Sequence, residues 1–531
     1  MFAPLAHGVF AAIWVASILS ATGSQLQQVG AAWLMTSLAP SASMVALVTA
    51  VSTLPILLFS LVSGALADVI DRRLVLIGSQ FLMFGASATL AIADYAGVVT
   101  PLLLLLLTFL VGSGAAIMAP AWQSTVGELV PRDEVPQAVA LNVMAFNIAR
   151  TVGPAVGGVM VAVVGAGLNF TVNALSYLAM IGVLMAWQPL QQARPLPAEA
   201  VLPAMRDGIF YAFHATVVRR VLIRAMCFGF CSSIVVSLMA LVARDLLGEG
   251  AAVFGVLMGC MGIGAVTGAA LLGILRRRYT VERLLRIAIL ATACALVAIG
   301  LSRSFALTGA ALFLVGSGMV LGLSTFNVSV QMAVPRWVSG RALALYQMFT
   351  FGGMTAGAWF WGNMGEVAGI GGAYLLSAAT LLLTLLLAWV LPVREVGASE
   401  IAPAPDELGD PLPDAPLGVG VVVAIEYRVP ASRRDAFLAA ISKRQRMRLR
   451  DGARQVTLMQ DAVDEELWTE RFCVRCWTEH RRQLSRRTLD AKELDEALLS
   501  CHSGMDPPQH RYFFERSVRS GRRLASLRPR G

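Results

Sequence analysis

Lysine is missing from the first 393 residues of this 531-residue chain, and only twelve acidic residues occur there. A water-soluble surface needs roughly a quarter of its residues charged, so a soluble globular fold is excluded for this region. The whole chain is 14% charged and 57% hydrophobic, with mean hydropathy +0.69. Cysteine is sparse too: there are seven, in no arrangement that demands disulfides. Cys473 and Cys476 form C-x-x-C, but in an apparent strand that spacing puts the thiols on opposite faces. Two packed cysteines are expected there rather than a redox or metal pair. The start of the chain lacks a basic segment and its first apolar run is full length, so no cleavable leader is expected.

What is present divides sharply. Residues 1–393 are apolar and residues 394–531 are densely charged, which predicts a membrane region followed by a smaller aqueous one. The net charge of +9 and pI near 9.5 fit arginines facing an anionic inner leaflet; nucleic acid is not an expected partner.

A bilayer core of about 30 Å takes about 20 mostly apolar residues per helix. On that basis helices are predicted near 8–36, 43–66, 74–96, 101–120, 138–164 and 168–187. A second six fall near 222–244, 252–275, 284–301, 305–330, 342–364 and 371–392. Loops after even-numbered helices hold fifteen arginines, whereas loops after odd-numbered helices hold only Arg244 and Arg303. This asymmetry predicts that the even loops, both termini and the charged tail are cytoplasmic.

The chain also repeats itself. FLVGSG occurs at Phe109 to Gly114 and again at Phe313 to Gly318, 204 residues later. The same offset carries Gly64, Arg72 and Arg73 onto Gly268, Arg276 and Arg277, and Thr151, Gly153 and Gly158 onto Thr355, Gly357 and Gly362. One register over about a hundred residues implies two copies of one six-helix unit, with a cleft between them whose rocking can move a solute.

Several motifs sit on this frame. After helix 2 runs Gly64-Ala-Leu-Ala-Asp68-Val-Ile-Asp71-Arg72-Arg73, similar to the G-x-x-x-D-R-x-G-R-R loop of the major facilitator superfamily. Asp68 is expected to reach the N-terminal end of helix 11 near Arg341, forming a conformational latch with Arg72 and Arg73. Val69 and Asp71 depart from that pattern, which leaves a simple basic topology anchor as the alternative. Helix 5 carries Arg150, then Gly153-Pro154-Ala-Val-Gly157-Gly158, resembling the G-P-x-x-G-G signature of superfamily exporters. Proline bends the helix and the glycines permit close contact, with helix 8 the expected partner through Gly255, Gly259, Gly264 and Gly268. Arg150 lies mid-span, where an unpaired charge is costly, so it is expected to face a cavity or a polar partner. Polar residues recur at helical spacing on helix 1 (Ser17, Ser20, Ser24, Gln27, Gln28) and on helix 10 (Ser317, Ser324, Asn327, Gln331). No carboxylate lies mid-span, so proton coupling would have to use Asp68, a helix-end carboxylate or the substrate itself.

In the tail, residues 394–417 read as an acidic, proline-rich linker. A strand at 421–429, a helix at 432–450, strands at 454–460 and 467–477, a helix at 479–500 and a strand at 510–515 follow. That β-α-β-β-α-β order predicts a ferredoxin-like α+β domain, similar to the small dimeric barrels of the antibiotic-biosynthesis monooxygenase type. His480, His502 and His510 are expected on exposed helix faces, with no catalytic residue, metal or cofactor. The arginine-rich end is expected to be a solvated or membrane-surface tail.

Over nearly its full length the chain resembles the transmembrane secretion effector branch of the major facilitator superfamily, related to the enterobactin exporter. The resemblance rests on the loop at 64–73, on LVPRDEVPQAVALN (129–142), ARTVGPAVGG (149–158) and VPRWVSGRALALYQ (334–347). It extends into the tail through RLRDGA (448–453) and WTEHRRQLSRRT (477–488). It implies an all-α membrane protein of twelve transmembrane helices in two pseudo-symmetric six-helix bundles, plus the small cytoplasmic α+β domain. The expected domains are 1–187 and 222–393 as the bundles, 188–221 between them, 394–417 as linker, 418–516 as the ferredoxin-like domain and 517–531 as a basic tail. It further implies a bacterial inner-membrane exporter of a small organic molecule such as a siderophore or drug. The cavity would be lined by helices 1, 4, 7 and 10, a proton is the candidate coupling ion, and the tail is a candidate dimerisation module. The alternative is a membrane-anchored enzyme or sensor acting through the tail.

Overall fold

A computed structural model describes residues 3–39, 41–69, 71–126, 129–131, 133–187, 210, 215–394, 419–485 and 488–516. The chain falls into two compact units, each described here by itself. One comprises Met1–Met205, Val217–Met332 and Ser339–Glu395, the other Arg206–Thr216, Ala333–Val338 and Val396–Gly531.

Eleven helical runs among the described residues are long and apolar enough to cross a membrane. The first six are α1 (Gly8–Leu38), α2 (Ala42–Val69), α3 (Arg72–Tyr95), α4 (Pro101–Val126), α5 (Val135–Val163) and α6 (Ala166–Ala186). The others are α7 (Thr216–Leu246, its last five residues a π turn), α8 (Ala251–Arg278), α9 (Val281–Leu301), α10 (Phe305–Met332) and α11 (Arg336–Val390). The α11 run is two helices meeting at Gly369, whose φ of 74° and ψ of 162° only glycine adopts readily.

Several helices extend past the expected ends, and the reason is shared. Hydropathy registers the apolar middle of a span, but arginine is a good helix former and continues the helix into the polar zone. Thus α7 begins at Thr216, six residues ahead of 222 and inside the expected 188–221 connector. The α11 run begins at Arg336, which puts Arg341 in the second turn and not at the helix start. Asp71, which departs from the loop signature, caps α3 by accepting from the Arg73 backbone N–H at 2.8 Å.

The duplication is physical. In the first half, a Cβ added to Gly112 would meet the Ser52 carbonyl of α2 at 2.8 Å, and one at Gly114 would meet the Ser79 carbonyl of α3 at 3.0 Å. In the second half, Gly316 meets Met261 and Ala265 of α8, and Gly318 meets Thr292 of α9. The two FLVGSG copies therefore let α4 and α10 pack against equivalent helices. Gly153 against α1 and Gly357 against α7 repeat the relation.

In the second unit, strands β1 (Val421–Arg428), β2 (Arg454–Gln460), β3 (Leu467–Val474) and β4 (Gln509–Phe514) form an antiparallel sheet in the order β2-β3-β1-β4. Helices α12 (Arg434–Arg450) and α14 (Leu489–Cys501) cover one face, burying Phe437, Ile441 and Leu498 against Val421, Val423, Ile425 and Tyr427. The helix expected at 479–500 is two helices, α13 (Trp477–Ser485) and α14, the second capped by Thr488. Strand β3 ends at Val474, so Cys476 lies beyond it and the opposite-face reading of the C-x-x-C fails. Beneath the sheet, Arg448 pairs with the fully buried Glu470 through two bonds of 2.7 and 3.0 Å and lies 4.1 Å over the Phe472 ring. Burial, and then the Glu470 charge, push the Tyr427 phenol above its ordinary pKa.

Candidate functional site

The cleft between the two halves is the candidate site, and glycine contacts define its walls. A Cβ on Gly158 of α5 would lie 2.6 Å from the Ala251 carbonyl and the Gly255 Cα of α8. Gly255 in turn faces the Pro154 carbonyl and Gly158 Cα at 2.6 and 2.7 Å. Deeper in, Gly262 of α8 meets the Arg150 carbonyl at 2.8 Å. The repeat-related contact joins α11 to α2, where Gly362 meets Ala46 at 2.6 Å and Ser43 at 3.1 Å. Contact this close requires that at least one of the two facing residues lack a side chain.

Polar contacts reinforce the same seams. Glu366 accepts from the Ser43 backbone N–H at 3.1 Å and from its hydroxyl at 2.5 Å, at the N-terminal end of α2. Thr53 and Thr355 share a hydrogen bond of 2.8 Å. Arg244, paired with Asp245, donates to the Thr36 carbonyl at 2.5 Å, and Trp33 stacks on Phe254. These cross-half contacts run from mid-span to the side with few arginines. Toward the arginine-rich side, residues on the same two faces are exposed. Val143, two turns from Arg150, is 54% exposed, and Val266, one turn from Gly262, is 40% exposed.

The structure separates the expected site residues. Arg150 is half-buried at the α5–α8 seam, and among the described residues its guanidinium has no hydrogen-bond or ion-pair partner. Gln28 is exposed, and among the described residues Ser17 bonds only the Trp14 carbonyl of its own helix. Ser20 and Gln27 are buried, which corrects their expected placement in a cavity. Gln27 accepts from Ser87 of α3 at 2.6 Å and from Asn173 of α6, while Ser24 meets the Tyr177 hydroxyl at 3.2 Å. Helical spacing places residues on a face but does not say which face meets the cleft. This network holds α1, α3 and α6 together. Asn173→Leu is expected to lower stability by about 1–3 kcal/mol, by leaving buried groups unpaired. An unchanged thermal midpoint in nanodiscs would show the network to be idle.

On α10, Ser317 bonds the Gly264 carbonyl of α8 at 2.8 Å, whereas Ser324 and Asn327 are half-buried and Asn327 accepts from Gln331 at 2.6 Å. The glycines of α8 divide as well. Gly255 and Gly259 face α5 as expected, but Gly264 and Gly268 face Phe313 and Ser317 of α10. Gly157 packs on Leu26 of α1, and Asn169 of α6 donates to both the Leu26 and Gly157 carbonyls.

Of the expected latch, Gly64 and Asp68 have side chains outside the described residues, as do residues 395–418 and 517–531 of the linker and tail. Arg73 does not fit the latch: it donates to the Leu184 and Met185 carbonyls at the C-terminal end of α6, within its own half. Two features escaped the sequence reading. Arg224 is buried and pairs with Glu282 at 2.6 Å, a contact hidden because Arg224 looked like a loop arginine. Gln25 lies beside Gly153 where α1 crosses α5, one turn from Arg150; its spacing of three from Gln28 was the available signal.

In the second unit His480 is buried against Phe472, Trp477 and Tyr512, His502 follows α14, and His510 lies on β4. None occupies the exposed helix face expected, because the aromatic pocket under α13 and the turn after α14 take the first two. His502 Nδ1 accepts from the Arg428 backbone N–H at 2.9 Å, which makes it a turn-closing residue.

A family model described as transmembrane secretion effector matches residues 1–520. The chain belongs to this family. Among its relatives, the staphyloferrin A transporter of Staphylococcus aureus is 29% identical over 188 residues, 35% of this chain and 46% of the relative. The multidrug efflux pump Tap of Mycobacterium tuberculosis is 27% identical over 222 residues, 39% of this chain and 51% of Tap. The chain thus spans about half the length of these two relatives. An uncharacterised major facilitator-type transporter of Bacillus subtilis, YfiS, is 26% identical across 62% of this chain and 80% of its own length. Among solved structures, the nucleoside transporter NupG superposes with a TM-score of 0.59 at 14% identity, covering 72% of this chain and 98% of its own. A bacterial homologue of the human lysosomal transporter Spinster gives 0.56 at 15% identity, covering 72% and 94%. At such identities the likeness establishes the major facilitator fold of this chain and nothing finer.

Proposed function

We propose that this protein is a secondary active transporter that exports a small organic molecule across the bacterial inner membrane by alternating access. The observation that carries the reading is the pair of repeat-related seams, α5 on α8 and α2 on α11. Two rigid halves that touch at glycines, with little side-chain bulk between them, can rock about those lines. The exposed Val143 and Val266 faces fit a state open toward the arginine-rich side, which arginine bias makes cytoplasmic. Counting the two arms of α11 separately gives twelve spans, with both termini cytoplasmic.

Within the cleft, Arg150, Gln28, Ser17, Ser324 and Asn327 are the proposed substrate contacts, with Gln25 added. A proton is the proposed coupling ion, acting at a helix end. Glu366 is suited to that task, since protonating it removes the charge that Ser43 and the α2 terminus hold across the seam. The substrate class follows the relatives, whose names include a siderophore transporter and a multidrug pump.

For the tail, the strand order β2-β3-β1-β4 with helices on one face supports a ferredoxin-like assignment. Its other face, bearing Phe513 (51% exposed) and Met459 (44% exposed), is the proposed dimerisation surface.

Efflux decides between transport and a tail-centred enzyme. Proteoliposomes of the full chain and of a chain lacking residues 394–531 should both export a transported dye down an imposed proton gradient. Loss of all export with retained oxidation by the isolated tail would overturn the reading.

A further inference from the structure

We infer that the transported molecule is an organic anion, and that Arg150, assisted by Gln25, binds its carboxylate in the middle of the membrane. This rests on the transport reading and narrows its substrate class.

Depth comes first. Arg150 is fifteen residues beyond the start of α5 at Val135 and thirteen before its end at Val163. At 1.5 Å per residue that is roughly 22 Å of helix from one end and 20 Å from the other, beyond the reach of a lipid headgroup. A cation there is costly, and a guanidinium does not shed its proton to escape the cost. It needs an anion or water.

No described residue supplies that anion. Among the described residues of the membrane unit, carboxylates occur only at or near helix ends, and most are already engaged. Glu282 holds Arg224, Glu366 holds Ser43, Asp245 holds Arg244, Asp71 caps α3, and Glu134 lies 3.1 Å from His7. Arg150 itself has no partner among the described residues.

Access completes the case. Arg150 sits at the mid-span limit of the glycine seam, and beyond it the faces of α5 and α8 are exposed through Val143 and Val266. The half-buried Gln25 side chain of α1 lies against Gly153, one turn from Arg150, which makes its amide the second donor of the proposed site. A guanidinium fork with an adjacent amide matches the plane of a carboxylate, and its fixed charge disfavours cations.

The test uses the full chain in phosphatidylcholine nanodiscs. Thermal unfolding is followed with succinate, benzoate and propane-1,2,3-tricarboxylate, and with tetramethylammonium and benzyltrimethylammonium at matched ionic strength. The carboxylates should raise the midpoint and the ammonium ions should not. Arg150→Met should raise the half-maximal carboxylate concentration roughly tenfold or more, and Arg150→Lys, which keeps charge but loses the fork, by a smaller factor. Equal or larger shifts with the ammonium ions, no shift with any carboxylate, or an unchanged carboxylate response in Arg150→Met would overturn the inference. So would abolition of the response by phosphatidylglycerol nanodiscs, which would make a lipid the anion. Ethidium efflux from proteoliposomes separates the two proposals. Export of ethidium unaffected by Arg150→Met would sink the anion assignment and leave transport standing, whereas carboxylate binding with no efflux of either ethidium or propane-1,2,3-tricarboxylate would sink transport and leave the site.

Discussion

Gly158→Val is expected to stop transport almost completely while the protein still inserts and folds. A Cβ at Gly158 would already lie 2.6 Å from both the Ala251 carbonyl and the Gly255 Cα, and valine adds two further methyls. Neither neighbour can yield, because both are main-chain atoms of α8. The halves could close on this seam only by separating by about the width of a methyl group, so the state in which α5 meets α8 would be lost. Gly362→Val should act the same way on the α2–α11 seam, where the Ala46 methyl and Ser43 Cα stand in the path. Gly182→Val is the control, since nothing lies within 4 Å of a Cβ there. Efflux reduced at least about tenfold by the first two and not by the third supports the rocking seam. Full activity in Gly158→Val would show that α5 and α8 need not touch during the cycle.

Glu470→Gln should be the most damaging single change in the second unit. The carboxylate is fully buried and takes two bonds from Arg448, whose guanidinium is itself mostly covered and lies on Phe472. Removing one member of such a pair leaves a buried charge without its counterion, at a cost of about 3–5 kcal/mol. That is a large share of the stability of a domain this size. The effect is read as an early thermal transition and faster proteolysis within residues 419–516 of the full chain. Replacing both partners at once, by Glu470→Leu with Arg448→Met, should restore much of the loss. If the single change is silent, water reaches the pair and the burial argument fails.

The large features were legible because each depends on a pattern repeated over many residues. Span positions follow from apolar length, and the duplication from a fixed offset of 204 that survives in the glycines packing α4 and α10. The pairing of α5 with α8 was also readable, because small residues four apart mark a helix contact whatever the partner. Individual polar residues were less legible. Ser24 and Gln27 share a stripe with Gln28, yet two of them join a buried network and the third is exposed. At about 100° per residue, Gln27, Ser24 and Gln28 span an arc of about 100°, wide enough to meet both the bundle interior and the cleft beside it. Arg73 was misplaced for a similar reason: an arginine at a helix end has several carbonyls within reach, and the one it took belongs to α6.

Sequence alone determined that the first 393 residues cross a membrane repeatedly, that they form two related halves, and that a charged α+β tail follows. These are properties of composition and period, which hold before any segment meets another. Only the tertiary structure decided which glycines face which helix, which polar groups are consumed inside a half, and that Arg150, at the mid-span limit of the seam, has no partner among the described residues. Such facts depend on the rotation of each helix about its own axis, and that rotation is fixed by packing against neighbours distant in the chain.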